Sequence, residues 1–275
     1  MNQTQELGAL NSKHNPGKGF TYFASFIFIL FLTISGFIYF GAIVAVKEGK
    51  MNFSGDISIL YWVIAFIIGL GLVILLLALK QSKGKTFYLY EKGIVTEGNG
   101  QSKTQLFEDL DDLYLFSSGR TFLTNNIAFR TRKDGDWETI TARYPKVFKA
   151  IDFITTQHEN FYVMKALREL EANKSITFQY INYDTALGKK LFATGTQSFL
   201  NVQPKEIIVT RDHLVIDSAK IRISELNHFA ANNWISKISL YDKENNIVFS
   251  TATNGIFSGK SFVSLMDKLI NPAKQ

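Results

Sequence analysis

The sequence predicts an α+β membrane protein. Two transmembrane helices at the N-terminus form a hairpin, and two tandem copies of a small antiparallel β module follow, each closed by a C-terminal helix. Three observations support this prediction. The first third of the 275-residue chain contains two uncharged apolar runs, the remainder reads as short strands with alternating apolar residues, and the order of those strands recurs later in the chain.

The two apolar runs have the length of membrane spans. Residues Phe20–Val46 and Ile59–Leu79 contain no charged side chain. A helix needs about 20 apolar residues to cross the hydrocarbon layer, so spans are predicted at about 20–46 and 59–79. The first run is too long for the apolar part of a cleaved signal peptide.

A short polar connector joins the spans, so residues 20–80 should form a hairpin. Small residues four apart, Gly41 with Ala45 and Ala65 with Gly69, would allow the two helices to approach closely. The alternative is the ordinary frequency of glycine and alanine in membrane helices.

Basic residues flank the hairpin and predict its orientation. Lysines outnumber acidic residues beside the outer ends of the spans, whereas the connector balances Lys47 and Lys50 against Glu48 and Asp56. Both termini should therefore face the cytoplasm, with residues 1–19 as a cytoplasmic tail and the protein in the inner or plasma membrane. The flanking lysines are Lys13, Lys18, Lys80, Lys83 and Lys85.

The first β module is predicted over residues 81–174. It begins with a hairpin, "LYEKGIVTE", in which Gly93 is the expected site of a positive φ. Further strands follow up to "DWETITA". After Pro145, the spacing of Val147, Phe148, Ile151 and Ile154 predicts one buried face of a helix.

The second module is predicted over residues 175–275. "VTRDHLVID" repeats the opening hairpin, and "ISELNHF" repeats the strand transition "FEDLDDL" of the first copy. The closing helix contains an apolar face from Phe262 to Ile270 and stops at Asn271-Pro272.

Short antiparallel strands followed by one helix, present twice, resemble the pleckstrin-homology-like (PH-like) fold. More specifically, the chain resembles uncharacterised bacterial membrane proteins that carry a PH-like module behind two spans. The hairpin Tyr90–Ile94 and the acidic step Glu108–Leu110 carry the resemblance in the first copy; the second retains Ser224–Leu226 but lacks the glycine. The resemblance implies two small β-barrels, each capped by a helix, and it transfers function weakly.

No motif in the sequence predicts catalysis, a cofactor or a metal. Cysteine is absent, which excludes thiol chemistry and cysteine-based zinc sites. "GIFSGKS", Gly255 to Ser261, has three rather than four residues between its glycine and the Gly-Lys pair, so Ser258 or Ser261 is better explained as a helix cap. The acidic run Glu108–Asp112 lacks calcium-loop spacing, and the four histidines lack ligand spacing. We therefore expect a non-enzymatic protein without cofactors.

The net charge of +6 favours an anionic partner, and one group of basic residues is the candidate binding surface. If the fold gathers them, they would hold the first module against anionic lipid or capture a protein partner, assisted by the juxtamembrane Lys80, Lys83 and Lys85. A solvated strand face is the alternative. No nucleic-acid recognition module is recognisable. The candidate residues are Arg130, Arg132, Lys133, Arg143, Lys146 and Lys149.

The predicted function is thus a membrane-anchored scaffold that presents two PH-like modules at the cytoplasmic face to a protein, a peptide or an anionic lipid headgroup. Two alternatives stay open: an immunity or envelope-stress protein that neutralises a toxin at the membrane, and an accessory subunit of a membrane enzyme. The spans contain no ionisable Asp, Glu, Lys, Arg or His for an ion pathway.

Overall fold

The computed structural model describes residues 6–118, 123–185, 188, 196–232 and 237–272. The chain forms two compact units. One is Asn15–Lys85, and the other combines Met1–His14 with Thr86–Gln275. The N-terminal segment expected as a tail therefore belongs to the β-rich unit.

The smaller unit is a pair of long apolar helices. Helix α1, Gly19–Phe37, continues through a π-helical segment, Ile38–Val44, to a last turn that ends at Lys47; helix α2 is Ser58–Ser82. By length and composition, both helices are suited to crossing a membrane, as the sequence predicts.

Close packing between α1 and α2 involves different small residues from those expected. Ala24 and Ala78 are fully buried. A Cβ placed on Gly71 would lie 3.0 Å from the rings of Phe28 and Phe31, so a larger residue there would have to displace these rings. Gly41 and Gly69, by contrast, have no atom within 4 Å of such a Cβ and do not lie at this contact.

The first half of the β-rich unit contains two antiparallel sheets and one helix. The four-stranded sheet has the order β1-β2-β3-β4, the three-stranded sheet has the order β5-β6-β7, and α3 follows. The bounds are β1 Leu10–His14, β2 Thr86–Tyr90, β3 Gly93–Gly98, β4 Gln101–Leu106, β5 Asp112–Phe116, β6 Asn126–Arg130, β7 Glu138–Ile140 and α3 Val147–Glu171.

The second half repeats this order. Its four-stranded sheet is β8-β9-β10-β11, its three-stranded sheet is β12-β13-β14, and a helix ends it. A short helix α4 precedes β9. The bounds are β8 Ile176–Tyr180, α4 Thr196–Leu200, β9 Lys205–Val209, β10 His213–Ile216, β11 Ala219–Arg222, β12 Leu226–Asn232, β13 Lys237–Asp242, β14 Ile247–Ala252 and α5 Gly259–Ile270.

The predicted recurrence of elements is present, but the described residues form no closed barrel. Each half passes from its four-stranded to its three-stranded sheet through one 3₁₀ turn, Phe107–Asp109 or Ile223–Glu225, whose first residue is buried. In the part of the chain that the structure describes, the four sheets are separate. The architecture is therefore α+β, with two apolar helices and several antiparallel sheets.

Strand β1 is an element that the sequence analysis missed. It pairs antiparallel with β2, placing His14 opposite Phe87, and Leu7 just before it is 1% exposed. Gly93 lacks the expected positive φ; its Cβ would lie 2.6 Å from the Gln105 carbonyl oxygen, so the site requires glycine because β4 approaches closely.

Helix α3 joins the two halves into one unit. Its N-terminal part contributes Val147, Ala150 and Ile154 to the core of the first half. Its C-terminal part contributes Val163, Ala166 and Leu170 to the core of the second half. A third apolar cluster lies between the halves and includes Tyr114, Phe116, Ile181, Phe199 and Phe257.

Candidate functional site

Arg130 is buried rather than displayed on a basic surface. Its Nε and Nη2 donate to Asp112 Oδ2 at 2.7 and 2.6 Å, and Nη2 also donates to Gln179 Oε1 at 2.7 Å. The guanidinium lies 4.2 Å from the ring centroid of Trp137. Because Gln179 belongs to the second half, Arg130 links the halves, and its charge is neutralised inside the fold.

Arg132 and Lys133 lie in the turn that follows β6. The exposed Arg132 Nε is 3.8 Å from Asp134 Oδ1. Lys133 is half-buried and close to Asp111, whose pKa is raised by burial and lowered again by the Lys133 charge. Arg132 and Lys133 therefore lie at the C-terminal end of β6, and the remaining exposed residues of the predicted basic group lie beyond its other end.

Arg143, Lys146 and Lys149 come together at the start of α3, and all three are exposed. Residue 140 pairs with residue 127, so this segment lies beyond the other end of β6. His14 Nδ1 donates to the Pro145 carbonyl oxygen at 3.2 Å, which connects the end of β1 to this segment. We call residues 143–149 the first corner.

The hydrogen bonds of His14 show where one proton of its ring lies. A carbonyl oxygen only accepts, so Nδ1 carries a proton, and Nε2 lies 3.0 Å from the Ser12 hydroxyl oxygen. Burial lowers the pKa of His14, and the nearby charge of Lys146 lowers it further. Lys146 is therefore close to the point where the chain leaves β1.

Phe148, expected on the buried face of α3, is 55% exposed between Lys146 and Lys149. The first turn of the helix is instead held by Val147 and Ala150, which are buried. Sequence periodicity could not separate these alternatives because adjacent apolar residues start the helix, and either residue fits an apolar stripe.

The juxtamembrane lysines belong to the helical unit. Lys80 lies in the last turn of α2, and Lys83 and Lys85 lie in the segment that follows; all three are exposed. They carry charge at the end of the second apolar helix, as the sequence predicts.

The segment of the second half that is equivalent to the first corner is residues 255–261, which we call the second corner. Lys146 and Ser258 each precede their helix with a left-handed backbone, at φ 60° and 54°. The Ser258 N–H donates to the Leu113 carbonyl oxygen at 2.7 Å, and the Leu113 N–H donates to Ser258 Oγ at 3.0 Å. The Phe257 N–H donates to the Gln179 carbonyl oxygen at 2.8 Å.

These contacts explain the "GIFSGKS" segment. Ser258 stands at the predicted cap position of α5, but its hydroxyl accepts from the first half and does not cap the helix. Two backbone N–H groups of the segment are bonded to carbonyl oxygens of β5 and β8, so they do not cradle a phosphate. The second corner is a contact between the two halves.

His158 completes this contact from α3. Its Nε2 donates to the Leu110 carbonyl oxygen at 3.0 Å, and Nδ1 accepts from Ser261 Oγ at 2.8 Å. Burial lowers the pKa of His158 to about 4, so the ring is neutral at physiological pH. Its partners are structural, one from each half.

The acidic run Glu108–Asp112 is also tied to the fold. Asp112 pairs with Arg130, and Lys165 Nζ donates to the Glu108 carbonyl oxygen at 3.0 Å. Among the described residues, no cluster of three or more histidine, cysteine or carboxylate side chains has a metal-binding arrangement.

Comparison with known proteins gives no family for the chain. No protein-family model matches it, and no curated protein matches it.

Proposed function

We propose that the protein is a membrane-anchored, non-enzymatic scaffold whose hairpin spans the membrane and whose β-rich unit binds a partner at the cytoplasmic face. The partner is a protein, a peptide or an anionic lipid. The two halves, in this proposal, are PH-like modules fused into one body.

One observation carries the proposal: the two strands that flank the hairpin in sequence are neighbours in one sheet. His14 at the end of β1 pairs with Phe87 in β2, and the hairpin unit lies between them in the chain. A sheet cannot be divided by a bilayer, since its backbone hydrogen bonds need both strands on one side. Both ends of the hairpin should therefore emerge on the same side.

The charges favour the cytoplasm as that side. Lysines lie beside the outer ends of α1 and α2, whereas connector lysines are balanced by acidic residues. Short loops with excess lysine are retained on the cytoplasmic side.

The arrangement of each half supports the PH-like interpretation. A four-stranded antiparallel sheet, a three-stranded antiparallel sheet and a C-terminal helix follow in that order twice. In each half the helix adds its apolar face to the core that the sheets form. Proteins of the PH-like fold have different roles, including lipid binding, peptide binding and scaffolding, so the fold is compatible with a scaffold.

The buried polar groups support a non-enzymatic role. Arg130 with Gln179, and His158 with Ser261, are used to hold the halves together. A catalytic acid or base would instead need access to a substrate.

Cysteine accessibility tests the anchoring, because the chain contains no native cysteine. Single substitutions Leu10→Cys and Lys243→Cys report on the β-rich unit, and Met51→Cys reports on the connector; all three positions are exposed. In intact cells, an impermeant maleimide should label Met51→Cys alone, and inverted vesicles should give the opposite result. Labelling of residues 10 and 51 from one side would refute the anchoring.

Chemical crosslinking of full-length protein in native membranes tests the scaffold role. The control is a chain with the same hairpin fused to an unrelated soluble domain. A protein or anionic lipid recovered in near-stoichiometric amount only with the native β-rich unit supports the proposal. Identical recovery from both chains would contradict it.

A further inference from the structure

The two equivalent corners differ in accessibility. In the second corner, every residue except Gly259 and Lys260 is buried against the rest of the unit. In the first corner, only Tyr144 and Val147 are buried. The same backbone feature thus makes an internal contact in one half and presents its side chains to the surroundings in the other.

The exposed side chains of the first corner combine one aromatic ring with three cations. In the β-rich unit, Phe148 is the phenylalanine that stands out as exposed among the described residues. Side chains of a helix lean toward its N-terminus, so Phe148 points toward the beginning of α3. Arg143, Lys146 and Lys149 are exposed within five residues of it in the sequence, and Asp152 is the exposed acid one turn further along.

The first corner also lies where the chain leaves the β-rich unit for the hairpin. Pro145 accepts a hydrogen bond from His14, and Tyr144 packs its ring 5.5 Å from that of Phe87. Residues 15–18 connect His14 to α1, and residues 83–85 connect α2 to β2. Such linkers span at most about 14 Å when extended.

Basic charge continues from the first corner along the same end of the sheet. His14, Phe87, Thr96 and Lys103 pair in turn across the four strands of this sheet, and Lys103 lies in the edge strand β4. Glu97 is the exposed acid of this end. The exposed charge at this end of the unit is therefore mainly positive.

We propose that the first corner docks on the anionic leaflet of the membrane that holds the hairpin, with Phe148 in the headgroup region and Arg143, Lys146 and Lys149 beside lipid phosphates. The inference rests on the proposed membrane anchoring and specifies an orientation for it. An aromatic residue flanked by cations has the composition of interfacial anchors. The leaflet is the occupant because it is anionic, and the linkers restrict how far the corner can move from it.

Docking would leave the opposite surfaces free for a protein partner. Each Lys or Arg near an anionic leaflet changes the ratio of docked to undocked protein by about fivefold. Removing the three charges together should therefore reduce that ratio about 100-fold, and a neutral bilayer should have a comparable effect.

A fluorophore on α3 can test this in the full-length protein. The reporter is placed at Asp152→Cys, one turn from Phe148, and the matched control is Met164→Cys, which is 58% exposed on the same helix and about 18 Å further along. Each variant is reconstituted into nanodiscs of phosphatidylcholine, with or without phosphatidylglycerol. Quenching by headgroup spin-labelled lipid is then measured.

Strong quenching at residue 152 in anionic nanodiscs, and weak quenching at residue 164, is the expected result. Phe148→Ser, or the triple change of Arg143, Lys146 and Lys149 to Gln, should reduce the signal at residue 152. Changing Arg132, Arg168 and Lys220 to Gln should leave it unaltered, since these exposed charges lie outside the first corner.

Equal quenching at residues 152 and 164, or a signal at 152 that neither variant changes, would overturn the proposal. Either result, obtained with a chain whose cysteines at 10 and 51 label from opposite sides, would reject docking and leave the anchoring intact. Labelling of those two cysteines from one side would reject the anchoring itself.

Discussion

The first and second corners have the same backbone feature in two halves with the same order of elements, yet their side chains have different surroundings. Both place a residue with positive φ before a helix that closes a half, Lys146 in one case and Ser258 in the other. The neighbours of Ser258 are small or apolar and mostly buried, and Phe257 among them packs with Tyr114 and Phe116 of the first half. Charged residues surround Lys146, and burial of those charges would be costly, so that corner stays accessible.

The connections after the first strand of each half show a similar contrast. Residues 15–85, with both apolar helices, separate β1 from β2, whereas residues 181–204 separate β8 from β9. In the second half, the Ile181 N–H bonds to Gly255 of the second corner; in the first, His14 bonds to Pro145 of the first corner. Both connections therefore begin beside a corner, and the one in the first half leads into the apolar hairpin.

Replacing Arg130 should have the largest effect on the contact between the halves. Arg130→Met leaves the buried Asp112 carboxylate and the Gln179 amide without their partner, so we expect the free energy of unfolding to fall by about 3–5 kcal/mol. Denaturant titration of the full chain in micelles, followed by Trp137 fluorescence, measures this change.

Two further variants make that measurement specific. Arg132→Met removes an exposed charge and should change the free energy by less than about 0.5 kcal/mol. The double variant Arg130→Met, Asp112→Leu should regain most of the loss because no uncompensated charge remains buried. Similar losses in Arg130→Met and Arg132→Met would show that the pair does not hold the halves together.

Truncation of Leu7 examines whether the segment before the hairpin is part of the first half. Leu7→Ala should reduce the free energy of unfolding by about 3 kcal/mol, since the side chain is 1% exposed and packs beside Gly93. Leu10→Ala is the matched control, because Leu10 is 51% exposed, and it should have little effect. Equal, small effects in the same denaturant titration would mean that residues 1–14 are a dispensable tail.

The sequence was sufficient for the elements whose signals are local. Two uncharged runs predicted α1 and α2, and alternating apolar residues predicted the strands of both halves, including the hairpins that meet at residues 91–92 and 211–212. The 3₁₀ transitions also matched, since "FEDLDDL" and "ISELNHF" share an apolar residue that the turn buries.

Other features could not be predicted because they depend on contacts between distant residues. "LNSKH" is short and polar and becomes a strand only through pairing with β2. Arg130 resembles a surface cation until Asp112, Gln179 and Trp137 converge on it. The exposure of Phe148 depends on how α3 packs against the sheets, which the periodicity does not specify.

Acid should weaken the contact between halves through His158. Below the ordinary pKa of 6.5 the unfolded chain gains a proton at this residue, whereas the folded chain does so only near its pKa of about 4. The neutral ring makes its full contribution to the free energy of unfolding above about pH 6.5. That contribution decreases as the pH falls, by about 3 kcal/mol in total at pH 4. His14, whose pKa is also lowered, acts in the same direction.

Comparison of the parent chain with His158→Gln isolates this contribution. The variant should be less stable at pH 7.5 because the bonds to Ser261 and Leu110 are altered, yet its stability should change less between pH 6.5 and 4. His228→Gln, which replaces an exposed histidine outside this contact, is the matched control. Parallel curves for the parent and His158→Gln from urea titrations at each pH would contradict this assignment.

The smallest expected effect concerns glycine at the equivalent positions 146 and 258. The same substitution should raise the stability of the protein in the first corner and lower it in the second. Glycine tolerates positive φ, so Lys146→Gly should stabilise the protein by up to about 1 kcal/mol. Ser258→Gly gains the same relief but removes the hydroxyl that accepts from the buried Leu113 N–H, so it should destabilise by about 1 kcal/mol. Changes of the same sign in paired thermal and urea measurements would show that the hydroxyl contact does not distinguish the second corner from the first.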